Sequence, residues 1–185
     1  MKSIKKHQKA TVGVLEEHNA EIMLEESNPI WPVLFESEAD RIRNALGDRA
    51  MQIHHVGSTS VPGLCAKPII DIVLAVEDSS NELSYVPDLE SAGYKLRIRE
   101  PDWFEHRMLK GFEPAVHLHV FSENIPEIER MIAFRDRLRN HEDDRIKYEQ
   151  AKRELARKTW KYVQQYADAK TEIIKEILQR AEVNS

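Results

Sequence analysis

Apolar residues change their spacing several times along this chain, and each change marks an element. Trp31, Leu34, Phe35, Ala39, Ile42 and Leu46 recur at three- and four-residue steps, the period of one buried helix face. Asn28 is placed to cap that helix from Pro29 onward, Pro32 falls in its first turn, and Gly47 ends it. Met51 to Val56 and Ile69 to Val76 are short apolar runs around a loop carrying Gly57, Ser58, Pro62, Gly63 and Pro68, which predicts strand, tight connection and strand. Asp78 or Ser79 then begins a short helix that Pro87 interrupts and Gly93 terminates. Tyr94 to Glu100 and Phe104 to Lys110 read as a hairpin turned at Pro101-Asp102, and Ala115 to Phe121 as a further strand. Three apolar stripes follow at helical spacing: Ile125, Ile128, Met131, Ile132 and Leu138; then Ile146, Leu155, Trp160 and Val163; then Ile173, Ile174, Ile177 and Leu178. Ile22 to Leu24 is expected as a short edge strand. Residues 1–20 lack clear periodicity and read as an extension, partly disordered or adding a short helix. Residues 21–185 are expected to form one α/β domain: a mixed, mostly antiparallel sheet of about five strands flanked by helices, with a C-terminal helical segment.

Asp71 is the one polar residue in the second apolar run. A carboxylate in a strand that otherwise reads as buried on both faces must be paired, hydrogen-bonded or bound to a cation, because an isolated buried charge is very costly. On the later strand, alternation puts Val116, Leu118 and Val120 on one face and His117, His119 and Phe121 on the other. Two imidazoles pointing together form a common ligand pattern for zinc, iron, nickel or manganese; a hydrogen-bonded pair lining a polar groove fits the spacing equally well. The helices after this strand interleave Arg and Lys with acids, and such helices usually present a solvated face. Arg135 is set apart because it falls on the apolar stripe beside Leu138, where it can turn toward an anion. Tyr148 and Lys152 lie four apart and can share its face. Arg97 and Arg99, on one face of the hairpin, are weaker phosphate candidates. Cys65 stands alone, permits no internal disulfide and reads as a small loop filler.

The Gly57-Ser58 pair ending one strand, the small-residue loop and the acid on the next strand resemble the signature of DNA polymerase beta-like nucleotidyltransferases. HVGSTSVPGLCAKPIIDI, with NPIWPVLFESE before it and HLHVF and FRDRLRNHEDDRIKYEQAKREL after it, is similar to the GrpB family over residues 21–181. The resemblance implies a nucleotidyltransferase-like fold. Donors of Gly57, Ser58 and Thr59 at the turn suit phosphate oxygens, with Lys67, Arg135 and Lys152 balancing charge. Asp71 is then expected to hold Mg²⁺ or Mn²⁺. One departure matters: the superfamily pattern has two acids one residue apart, and here Asp71 is flanked at those positions by Ile69 and Val73. Two-metal sites place their cations about 3.5–4 Å apart, and a lone aspartate cannot neutralise both. His117, His119 or His55 would complete the metal site or move a proton, and the His pair would admit another transition metal.

Length and charge narrow the function classes. At 185 residues the chain suits a single core. A formal net charge of -5 argues against general nucleic-acid binding. No stretch approaches the roughly 18 apolar residues of a membrane span, and the lysine-rich start lacks the apolar core of a signal peptide, so a cytoplasmic location is expected. Three readings stand: a metal-dependent nucleotidyltransferase acting on a nucleotide or phosphorylated small molecule; a non-catalytic binder of a nucleotide or coenzyme A-related ligand, which the missing second acid supports; and a hydrolase using Asp71, the histidines and a metal-bound water. Similar proteins fused to dephospho-CoA kinase bring coenzyme A precursors into the second reading by association alone.

Overall fold

In the computed structural model of the chain, which describes residues 4–183, five strands form one sheet: β1 (Gln52–Val56), β2 (Ile70–Val76), β3 (Lys95–Glu100), β4 (His106–Phe112) and β5 (Ala115–Ser122). Residues 1–3 of the expected extension and residues 184–185 of the C-terminal segment lie outside the described residues. The spatial order is β1-β2-β5-β4-β3, with β2 and β5 parallel and every other pair antiparallel. This is the mixed, mostly antiparallel sheet that the apolar spacing predicts. Seven α-helices accompany it among the described residues: α1 (Ile4–Ala10), α2 (Ile30–Leu46), α3 (Val86–Ser91), α4 (Pro126–Asn140), α5 (Glu142–Ala156), α6 (Val163–Ala169) and α7 (Thr171–Val183).

β2 is central and covered on both sides, which is why its sequence is a continuous apolar run rather than an alternating one. Toward one face, Trp31, Ile42 and Leu46 of α2 and Val86 and Leu89 of α3 pack on Ile70, Ile72, Leu74, Leu118 and Val120. Toward the other, Ile128, Met131 and Ile132 of α4 pack on Val56, Val73, Ala75 and Phe121. The α2 boundaries follow the sequence: the Ile30 N–H donates to Asn28 Oδ1 at 3.0 Å, and Gly47, at φ +57°, donates its N–H to the Arg43 carbonyl. No helix among the described residues is long and apolar enough to cross a membrane.

Several local expectations change. Ile22 to Leu24 forms no strand; the Ile22 N–H is taken by the Ala156 carbonyl, and isolated bridges flank it at Ala20–Trp160 and Glu25–Ala66. No helix starts at Asp78, whose carboxylate instead accepts from Ser80 in a turn. Pro87 falls in the first turn of α3 rather than interrupting a helix, since it has no N–H to lose there. Phe104 and Glu105 adopt left-handed conformations, at φ +54° and +50°, so β4 begins two residues later than the hairpin reading places it. A register shift between Leu96 and Ile98 breaks the alternation of β3, so Arg97 reaches Glu16 while Arg99 reaches Glu82. The second helical stripe is divided: α5 ends at Ala156, the Trp160 indole donates to the Leu155 carbonyl, and α6 starts afresh at Val163.

Candidate functional site

The site starts from the end of β1. Val56 pairs with Asp71 in the sheet, and Gly57 follows it with φ +68° and ψ −173°, a combination that essentially only glycine adopts. A Cβ on Gly57 would lie 2.4 Å from Asp71 Oδ2, so the missing side chain makes the room in which the carboxylate sits. The parallel pairing of β2 with β5 sets Asp71 beside His117 and Val73 beside His119, which brings both imidazoles to the same side as the carboxylate. His117 Nδ1 lies 3.4 Å and His119 Nε2 3.9 Å from Asp71 Oδ1. The three side chains are 30%, 26% and 22% exposed, buried enough to be held and open enough to be reached.

Among the described residues, Asp71, His117 and His119 are the one group of possible metal ligands whose donor atoms all lie within 4.8 Å of one another. Ligands about 2.1 Å from a common tetrahedral centre sit about 3.4 Å apart, so the spacing fits a single ion. Burial pushes the Asp71 carboxyl up, but the adjacent His117 and His119 imidazoles outweigh it and hold the group well below the ordinary carboxylate range. Burial holds His117 below its ordinary value against the pull of Asp71. A carboxylate with a neutral imidazole is the protonation state that ligation requires.

Around this cluster lies a cavity of about 240 Å³, lined also by Ser58, Thr59, Lys67, Lys152, Tyr166 and Lys170. Lys152 Nζ donates to Ser58 Oγ at 3.0 Å and to the Cys65 carbonyl. Lys170 Nζ stands 4.5 Å from the centroid of the Tyr166 ring. Burial lowers all three lysines, Lys152 to about 7 and Lys170 to about 8, with Asp71 opposing the shift in Lys67 and Lys170. Lys9, Lys147, Lys161 and Lys175 form ion pairs with carboxylates, whereas among the described residues none engages Lys67, Lys152 or Lys170. Three lysines without carboxylate partners around one cavity make an anion-attracting wall.

Other candidates stand elsewhere. Arg135 does not line the cavity: its Nε donates to Asp136 at 2.7 Å and its Nη1 to the His55 carbonyl at 3.1 Å. Arg139 likewise spends its donors on the Ser60 carbonyl, so these α4 arginines brace the end of β1 and the loop after it. His55 points to the opposite face of the sheet from Asp71, stacked on Phe35 with centroids 4.7 Å apart, and burial brings it to about 4. It belongs to no ligand cluster. Thr59 lines the cavity, yet its hydroxyl donates to the Ile69 carbonyl at 3.1 Å and therefore accepts from His55 Nε2. Cys65 is fully buried, and burial pushes its thiol up, in keeping with a filler role.

A family model described as GrpB protein matches residues 21–180. The chain belongs to the GrpB family. A UPF0157 protein of Halalkalibacterium halodurans is 60% identical over 174 residues, covering 94% of this chain and 89% of that protein. A crystal structure of GrpB from Enterococcus faecalis superposes with a TM-score of 0.76 at 32% identity, covering 86% of this chain and 96% of that one. A segment of 78 residues is 37% identical to a dephospho-CoA kinase of Mycolicibacterium paratuberculosis, covering 40% of this chain and 19% of the kinase. The Cid1 poly(U) polymerase superposes at a TM-score of 0.44 and 9% identity, too loosely to bear on function. For this GrpB member, sequence patterning misses Lys170 and Tyr166. Tyr166 lies in α6 and Lys170 directly follows it, and the place of this segment over the cavity depends on packing that no local spacing announces.

Proposed function

We propose that this chain binds a nucleotide or similar phosphorylated small molecule together with one divalent metal ion, and transfers a nucleotidyl group from it. The observation that supports this reading is the meeting, in one cavity, of the Asp71-His117-His119 cluster with Ser58, Lys67, Lys152 and Lys170. A bound ion would polarise a phosphoryl oxygen and neutralise charge developing on it. Ser58 and the lysines would orient the phosphates, so catalysis would rest on positioning and charge neutralisation rather than on a protein nucleophile. Val73, on the same face as Asp71, is fully buried and apolar, so the second acid of the two-metal pattern has no substitute there. That favours a single ion. The missing acid also supports the second reading, a non-catalytic binder of a nucleotide or coenzyme A-related ligand. The likeness to part of a dephospho-CoA kinase adds coenzyme A precursors to the ligands worth testing.

Metal analysis of the purified protein, with unfolding measured against nucleotides and dephospho-CoA in the presence and absence of each metal, tests the proposal. Ligand at about 100 times its Kd stabilises by about 2.7 kcal/mol. Asp71→Asn should abolish metal-dependent stabilisation while costing the apo protein only about 1–2 kcal/mol, because the flanking imidazoles can rest neutral and Lys67 and Lys170, half-buried at the cavity wall, keep access to water. Wild-type protein indifferent to every metal and nucleotide, or an apo variant that loses more than about 3 kcal/mol, as a broken buried ion pair does, would count against it.

A further inference from the structure

We infer that Glu100 and His106 are positioning residues of the metal centre: they hold His119 with a bare Nε2 toward Asp71 and so fit the centre to a nitrogen-preferring first-row ion such as Zn²⁺, Co²⁺ or Ni²⁺ rather than Mg²⁺. This rests on the metal reading proposed above. Across β3, β4, β5 and β2 runs a row of polar side chains. His106 Nδ1 lies 2.9 Å from Glu100 Oε2, His106 Nε2 lies 3.0 Å from His119 Nδ1, and His119 Nε2 faces Asp71 Oδ1.

The proton positions follow from what each atom can do. A carboxylate only accepts, so His106 carries its proton on Nδ1 and, when neutral, offers Nε2 as an acceptor. His119 must then donate from Nδ1, which leaves its Nε2 lone pair free for a metal. The opposite order would need a doubly protonated His106 and an Nε2–H on His119 donating to Asp71. Their 3.9 Å separation is too long for that bond. His106 cannot readily turn to another arrangement: it is 2% exposed, stacked on Phe121 with centroids 4.8 Å apart, and set against the Trp103 ring edge-on at 4.9 Å. A carboxylate that orients a histidine ligand through its second nitrogen is a recurrent outer layer of metal sites, and losing such a partner typically weakens metal binding about 10- to 100-fold. Here a histidine is interposed between the two. Two imidazole nitrogens and one carboxylate oxygen suit first-row transition ions, whereas Mg²⁺ is a hard, oxygen-seeking ion.

The experiment uses the metal-stripped full chain and Co²⁺, read by its visible absorption spectrum and by competition with Zn²⁺ and Mg²⁺. Wild type should bind Co²⁺ and Zn²⁺ far more tightly than Mg²⁺. His106→Phe should bind Co²⁺ about 10- to 100-fold more weakly with an altered spectrum, and Glu100→Gln should shift both in the same direction by less. His106→Gln, whose amide oxygen can still accept from His119, should recover most of the affinity. Near-ultraviolet circular dichroism of the apo variants reports whether each is folded, and Glu100→Gln carries the test if His106→Phe is not. Wild type that binds no metal overturns the metal reading itself. Wild type that binds Co²⁺ while the folded variants match it within twofold overturns this inference alone, as does a preference for Mg²⁺.

Discussion

Replacing Lys152 with methionine should stabilise the protein while removing part of its anion site. The side chain is 1% exposed, and burial lowers its pKa from the ordinary 10.5 to about 7. Below about pH 7 the ammonium is charged in both folded and unfolded chains, and the full cost of burying it is present. Between about 7 and 10.5 the unfolded chain holds the proton more tightly than the folded one, so stability rises with pH through this window. At about 1.4 kcal/mol per unit, a shift of this size corresponds to a ceiling of about 5 kcal/mol. Against it stands the Cys65 carbonyl, which loses a donor at a cost of about 1–3 kcal/mol. Ser58, half-buried at the cavity wall, can turn to water, and methionine keeps the packing against Tyr148. Lys152→Met should therefore gain about 2–4 kcal/mol near pH 6, and the gain should shrink with rising pH and reverse near pH 10. Urea unfolding of both proteins across that range reads the difference directly. The same variant should bind phosphorylated ligands more weakly. A variant less stable than wild type near pH 6, or a difference that does not change with pH, would refute the reasoning.

Two further substitutions probe what holds the site in place. Gly57→Ala must force φ +68° on a residue with a side chain and push its Cβ against Asp71, so a loss of about 2–4 kcal/mol in urea unfolding is expected, together with impaired metal binding. Asp144 is 2% exposed between Arg137 Nε at 2.7 Å and Arg180 Nη1 at 2.5 Å. Asp144→Ala should cost about 3 kcal/mol by leaving two guanidinium groups without this carboxylate, and the lost stability should be visible in thermal unfolding while Co²⁺ affinity stays unchanged.

Much of the framework was written in local sequence. Asn28 and Gly47 bound α2 because a cap and a left-handed stop are local events. The period of two put His117 and His119 on one face before any sheet was known, and the apolar run around Asp71 marked its carboxylate as one that needs a partner. Alternation alone could not say which strand lies beside which, nor in what register. The parallel pairing of β2 with β5 decided that Asp71 meets His117, and the β1 register decided that His55 faces the other side. Arg135 looked anion-seeking because it sits on an apolar stripe, but the carbonyl of His55 waits there instead. Lys170 and the Glu100-His106 pair were invisible because their roles depend on contacts between distant segments. Backbone hydrogen bonding and side-chain period are set by neighbours in the chain, whereas a site is set by which of its segments pack together.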